Sequence, residues 1–156
     1  MVDEIREKTS KLEEIAQLQN TNIVPIGILP TLKKHHLDSA NMTDMPRYHC
    51  LSKHLYQQRG EDFKVNINGK KPLSVDFNDI CAEGANTSFQ VHLMTKPEKL
   101  KDIFNAAQLT LPFVTAIAGN SGVFLVHSLW DETRIALFKQ SLDIRLRDEV
   151  QWQQPT

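Results

Sequence analysis

Residues 83–94 read Glu-Gly-Ala-Asn-Thr-Ser-Phe-Gln-Val-His-Leu-Met, and the conformation of this stretch decides how the chain around it is arranged. From Ser88 the residues alternate. Phe89, Val91 and Leu93 fall on one side; Ser88, Gln90, His92 and Met94 fall on the other. A period of two predicts a half-buried strand. Such a strand sets Gln90 and His92 about 7 Å apart on one surface, a spacing suited to gripping one polyanionic or metal-bound ligand. The same pattern equally fits a plain solvent-facing strand carrying two polar residues.

Upstream, residues 63–67 alternate in the same way, with Phe63, Val65 and Ile67 against Lys64 and Asn66. Asn68-Gly69 then predicts a hairpin turn, with a return strand through Leu73 and Val75. Asp76, Asn78 and Asp79 read as turn and cap residues. Further back, Pro46 suits the first turn of a helix running to about residue 58, with Tyr48, Leu51 and Leu55 inward and Gly60 as its stop. Residues 38–46 are rich in Asp, Ser, Asn, Thr and Pro, and predict a loop. His35-His36 are adjacent and cannot face one metal on either a helix or a strand, so they read as surface residues. Residues 23–29 form a short apolar run and a strand candidate. Pro25 would confine it to an edge, and Gly27 points to a bulge or a close backbone approach. Residues 1–20 predict a charged helix with a loose apolar stripe at Ile5, Leu12, Ile15 and Ala16, opened by Asp3 and Glu4.

Downstream, Thr95, Pro97 and Glu98 predict the start of a helix. Leu100, Ile103, Phe104, Ala107 and Leu111 form its inner side. Pro112 should kink or split it, and residues 113–118 are apolar enough to be buried. Gly119-Asn120-Ser121-Gly122 is a turn, residues 123–126 a short apolar piece, and residues 129–142 a short helix or structured loop. The tail at residues 148–156 is polar and expected to be flexible. Strands joined by a hairpin, alternating with long helices, predict an α+β protein with a mostly antiparallel or mixed sheet and helices on one face.

Composition narrows the possibilities. The chain has 156 residues and is 40% hydrophobic, enough for one core. Eighteen basic residues oppose nineteen acidic ones, so there is no electrostatic case for nucleic acid or an anionic membrane. Cys50 and Cys81 have neither disulfide-framework nor metal spacing. No apolar run approaches 18 residues, and Met1 is followed by charged residues rather than a secretory leader. A cytoplasmic protein is expected.

Eight segments, taken in order, resemble the carboxylate–amine ligase branch of the glutamate–cysteine ligases. They are Gly27-Ile28-Leu29-Pro30-Thr31, Pro46-Arg47-Tyr48, Arg59-Gly60-Glu61-Asp62-Phe63, Thr87-Ser88-Phe89-Gln90-Val91-His92-Leu93, Asn105-Ala106-Ala107-Gln108, Gly119-Asn120-Ser121, Trp130-Asp131-Glu132-Thr133-Arg134-Ile135 and Asp143-Ile144-Arg145. The resemblance implies a glutamine-synthetase-like fold whose concave polar sheet face holds ATP and magnesium. It implies ATP-dependent amide formation through an acyl phosphate, with glutamate as the carboxylate and an amine such as cysteine as acceptor. Chemistry of that kind needs cations around phosphate oxygens more than a protein nucleophile.

Carried over residue by residue, the resemblance implies Arg134 at the transferring phosphoryl group. Thr87, Gln90, Asn120 and Arg145 would lie against substrate or nucleotide, and His92, with Glu83, would serve as a metal ligand. The family's proline after Asn-Ser is Gly122 here, its usual cysteine before Thr-Ser is Asn86, and its glutamine after His-Leu is Met94. The family's opening Glu-x-Glu carboxylate cluster has no counterpart before residue 20, nor does the region beyond Asp-x-Arg. The chain is therefore expected to be a single incomplete ligase domain with part of the site, completed by another copy or a complementary segment. The rival expectation is a catalytically inactive binding or assembly module that keeps the fold. A third is an unrelated small α+β protein.

Overall fold

A computed structural model describes residues 2–145. The chain is α+β, built from helices and two small antiparallel hairpins. The core forms where the sequence alternates most cleanly. Strands β1 (Phe63–Ile67) and β2 (Leu73–Phe77) pair from Phe63 opposite Phe77 to Ile67 opposite Leu73. Phe63, Val65 and Ile67 are buried on one face while Asn66 is exposed, as a period of two requires. Helix α5 (Arg134–Ser141) packs on β1 and buries Ala136 and Leu137 against the hairpin. Short helix α3 (Cys81–Gly84) adds Ala82, and Ile28, Phe124 and Leu129 complete this core.

Three elements fall where expected. The first is α1 (Val2–Leu18), with acidic residues in its first turn. The second is α2 (Pro46–Arg59), which ends at Gly60 in the left-handed conformation that Gly adopts at no steric cost. The third is the β1–β2 hairpin. Its connection, however, is five residues long rather than a two-residue Asn-Gly turn. The hairpin loop lies against the chain at Ser128 and Leu129: Lys71 N donates to Ser128 O at 2.9 Å, and a Cβ on Gly69 would sit 2.6 Å from Leu129 Cα. Gly69 serves that close approach. Asp79 accepts from Cys81 N in the turn ahead of α3, as a turn reading predicts, whereas Asp76, read the same way, lies inside β2 opposite Lys64 because the return strand runs on to Phe77.

Three expectations are overturned. Residues 88–94 join no sheet, and Phe89, Val91, Leu93 and Met94 are exposed. Alternation alone cannot make a strand without an edge to pair with. Residues 23–29 are likewise irregular, broken by Pro25 and by a bend at Gly27. Helix α4 (Leu100–Ala118) runs unbroken through Pro112, and none of its residues is buried, residues 113–118 included. Its start is a 3-10 turn at Pro97–Lys99 with Lys96, not Thr95, at the cap. The tail expected at residues 148–156 lies outside the described residues.

The apolar piece after the Gly119 turn forms a second hairpin, β3 (Val123–Phe124) with β4 (His127–Ser128). Its two-residue turn places Leu125 at φ 48° and Val126 at φ 62°. Both belong to the left-handed region that branched side chains avoid. Arg59 fastens the end of α2 to the end of the described chain. Its guanidinium is buried, donates to the carbonyls of Asp62, Asp143 and Arg145, pairs with Glu61, and lies over the Phe63 ring.

Candidate functional site

The site begins at Gly27, where three distant stretches meet through their backbones. Gly27 N donates to Asn120 O at 3.2 Å, and Gly27 O accepts from Thr87 N at 3.1 Å. The Thr87 hydroxyl also reaches the carbonyls of Ile26 and Gly27, at 2.8 and 2.6 Å. Any side chain at Gly27 would collide with what lies above it. A Cβ there would be 2.4 Å from Asn120 Oδ1 and 2.9 Å from Arg134 Cζ. The close approach expected at this glycine is therefore real, and its partners are an amide and a guanidinium.

Arg134 opens α5 and is held from two sides. Its Nε and Nη2 donate to the two carboxylate oxygens of Glu132, each at 2.6 Å, in a bidentate pair. Nη1 donates to Thr87 O at 2.8 Å. Ser121, fully buried, donates its hydroxyl to Glu132 Oε1 at 2.8 Å and its backbone N–H to Asp131 O. The Arg134 guanidinium is the main cause that holds the Glu132 carboxyl below the usual range, and Glu132 in turn raises Arg134. Arginine and glutamate are both charged at neutral pH. Because the side chain of Arg134 remains one-quarter exposed, its outer edge can still meet an anionic group.

The structure thus brings together three of the expected residues, Thr87, Asn120 and Arg134. The others lie elsewhere. Arg145 pairs with its own motif partner, Nε to Asp143 Oδ1 at 2.8 Å and Nη2 to Oδ2 at 2.7 Å. Arg134 stands at the first residue of α5 and Arg145 beyond its last, so about 12 Å of helix separates the two ends. Gln90 and His92 contact each other, Oε1 to Nε2 at 3.3 Å, on the exposed stretch before α4. Their shared side was expected; the sheet beneath them is absent.

Glu83 lies in α3 and faces a cleft of about 430 Å³ with His36, Asp38, Tyr48 and Cys81. Burial pushes its carboxyl up. Burial, reinforced by Asp79, also pushes the Cys81 thiol up to about 12, which keeps it protonated and weakly nucleophilic. Among the described residues no three His, Cys, Asp or Glu side chains gather as a metal site. His92 and Glu83 therefore do not by themselves fit magnesium, which takes oxygen ligands in octahedral array.

Sequence reasoning missed Glu132 and underrated Ser121. The signal for Glu132 was its place two residues before Arg134 in the Trp130–Ile135 motif, where a carboxylate can close on the arginine. No family model, no curated protein and no solved structure matches the chain.

Proposed function

We propose that this chain carries one wall of the phosphoryl-transfer site of an ATP-dependent carboxylate–amine ligase of the glutamate–cysteine ligase type, on a partial glutamine-synthetase-like fold. One observation supports the reading above the rest. Thr87, Asn120 and Arg134 come from three separate segments of the resemblance, and they converge on a fourth, at Gly27. The convergence of residues 27, 87, 120 and 134 is what a shared site built from those segments requires.

In this reading ATP, accompanied by magnesium, supplies the phosphoryl group to a carboxylate such as that of glutamate, and an amine such as cysteine displaces phosphate from the acyl phosphate. The chain's own contribution is electrostatic. Glu132 and the Thr87 carbonyl fix the Arg134 guanidinium in one orientation, so that its exposed edge meets negative charge without reorganising. Gln90 and His92 stand on the exposed irregular stretch that leaves Thr87, and would meet the nucleotide from that side. Further carboxylates for the metal would come from outside the described residues.

The second reading is a binding or assembly module without turnover, favoured by the full engagement of Arg134 with Glu132. Calorimetry with magnesium–ATP, on the chain and on Arg134→Gln and His92→Ala, tests both. Micromolar to low-millimolar binding, weakened in each variant, is expected. No binding to the unsubstituted chain sinks the nucleotide reading. Release of ADP in the presence of glutamate and cysteine rules out the module.

A further inference from the structure

We propose that the cleft faced by Glu83 is a second ligand site, which takes a small organic ammonium ion: a primary amine on an apolar stem, with no carboxylate of its own. None of the residues lining the cleft belongs to the junction at Gly27, so this site stands whether or not the ligase reading does.

The cleft has a braced wall and a useful size. Its volume of about 430 Å³ falls in the range of small-molecule sites. Two 3-10 turns, Lys34–His36 and Ser39–Asn41, make part of the wall. Asn41 Nδ2 ties them together by donating to the carbonyls of His35 and His36, at 3.2 and 3.3 Å. Leu37, between the turns, packs on the hydrophobic core. With Met42 and Ile80 it gives an organic stem an apolar surface to lie against.

Charge decides the class of ligand. Among the described residues, the cleft is lined by the carboxylates of Asp38 and Glu83 and by no lysine or arginine. Cations on the neighbouring elements sit over aromatic rings instead, Lys34 over Phe77 at 5.9 Å and Arg47 over Tyr48 at 4.7 Å. Asp38 commits Oδ1 to Ala40 N and keeps Oδ2 open. The Glu83 carboxylate is half-buried, and among the described residues it has neither a hydrogen bond nor an ion pair. A carboxylate withdrawn from water without a partner bears a desolvation cost, which an arriving ammonium offsets by charge-assisted hydrogen bonds. The Cys81 thiol feels the same surroundings: burial first, then Asp79 and Asp38, push it up to about 12. It stays protonated, so the cleft binds without offering a nucleophile. A zwitterionic amino acid fits poorly, because its carboxylate would meet Asp38 and Glu83 with no cation to receive it. A metal ion fits poorly too, since no three ligands gather there.

Titration of the full chain with phenethylamine, followed through its amide chemical shifts, tests this. Two analogues of similar size serve as controls: phenylalanine adds a carboxylate, and 3-phenylpropionate carries one in place of the ammonium. Saturable binding in the millimolar range or tighter is expected, with shifts concentrated at residues 36–43 and 80–84. At those same amides both analogues should bind about tenfold more weakly, as should phenethylamine to Glu83→Gln, which keeps the shape of the side chain. Asp38→Asn, at an exposed position where the amide oxygen can still accept from Ala40 N, is a second variant that spares the core and should weaken binding as well. No saturable shift, or shifts centred on other residues, overturns the proposal. So does an analogue that binds as well as the amine, or an affinity indifferent to both substitutions.

Discussion

Val126 stands at φ 62° in the two-residue turn between β3 and β4, with its side chain largely in solvent. A branched residue there has the steric cost of the left-handed region and gains little packing in return. Val126→Gly should therefore stabilise the fold by about 1 kcal/mol, a rise in Tm of about 3 °C for a chain of this size. Thermal unfolding followed by circular dichroism reads it. The carboxylates make a second set of expectations. Glu132 is held below the ordinary glutamate value near 4.5, first by its bond from Arg134, and Asp143 below its own, first by its bond from Arg145. A carboxyl depressed in the fold contributes stability above its unfolded value and loses it as the pH falls through the folded one. Stability should therefore fall below about pH 4.5, and less steeply in Arg134→Gln. Glu83 runs the other way, because burial raises it. Glu83→Gln should raise Tm at pH 7, and the gain should fade on acidification as the native carboxyl takes up its proton.

At the scale of elements, the chain was legible where a pattern found its partner nearby. Phe63, Val65 and Ile67 alternate, and their return strand lies five residues on, so the hairpin could be read locally. Helix α2 was legible from Pro46 and Gly60, each a residue whose backbone preference is strong at its end of a helix. Residues 88–94 show the limit. Their alternation is as clean as that of β1, yet a strand exists only when a neighbour supplies its hydrogen bonds, and no local sequence states that. The same gap misled the reading of α4, whose apolar residues were taken as an inner side; periodicity names a face without naming what covers it. Thr87, Asn120 and Arg134 were singled out from the resembling segments, and the structure brings them to one place. The backbone junction that joins them at Gly27 was foreshadowed by a glycine in an apolar run. The Leu125–Val126 turn was illegible, since neither residue is one that turns of its type favour.

At the scale of the whole molecule, the core of β1, β2, α3 and α5 contrasts with two long helices, α1 and α4, that lie largely in solvent. No helix among the described residues is long and apolar enough to cross a membrane. Arg59 ties the end of α2 to Asp143 and Arg145, so the core is fastened by a buried cation across more than half the chain. The junction at Gly27 has a topological corollary. Thr87 and Asn120 bond to the carbonyl oxygen and the amide of one residue, which holds the two ends of the segment between them close together. Everything between them leaves the body and comes back to nearly the same point, in the manner of a guest sequence spliced into a host. The host should survive its loss. Replacing residues 88–119 by a short Gly-Ser bridge should leave a cooperative thermal transition, whereas a chain that no longer unfolds cooperatively would show that the excursion is integral. By the same geometry a single protease cut near Lys99 or Lys101 should yield two pieces that travel together through gel filtration, a naturally divisible scaffold awaiting reassembly.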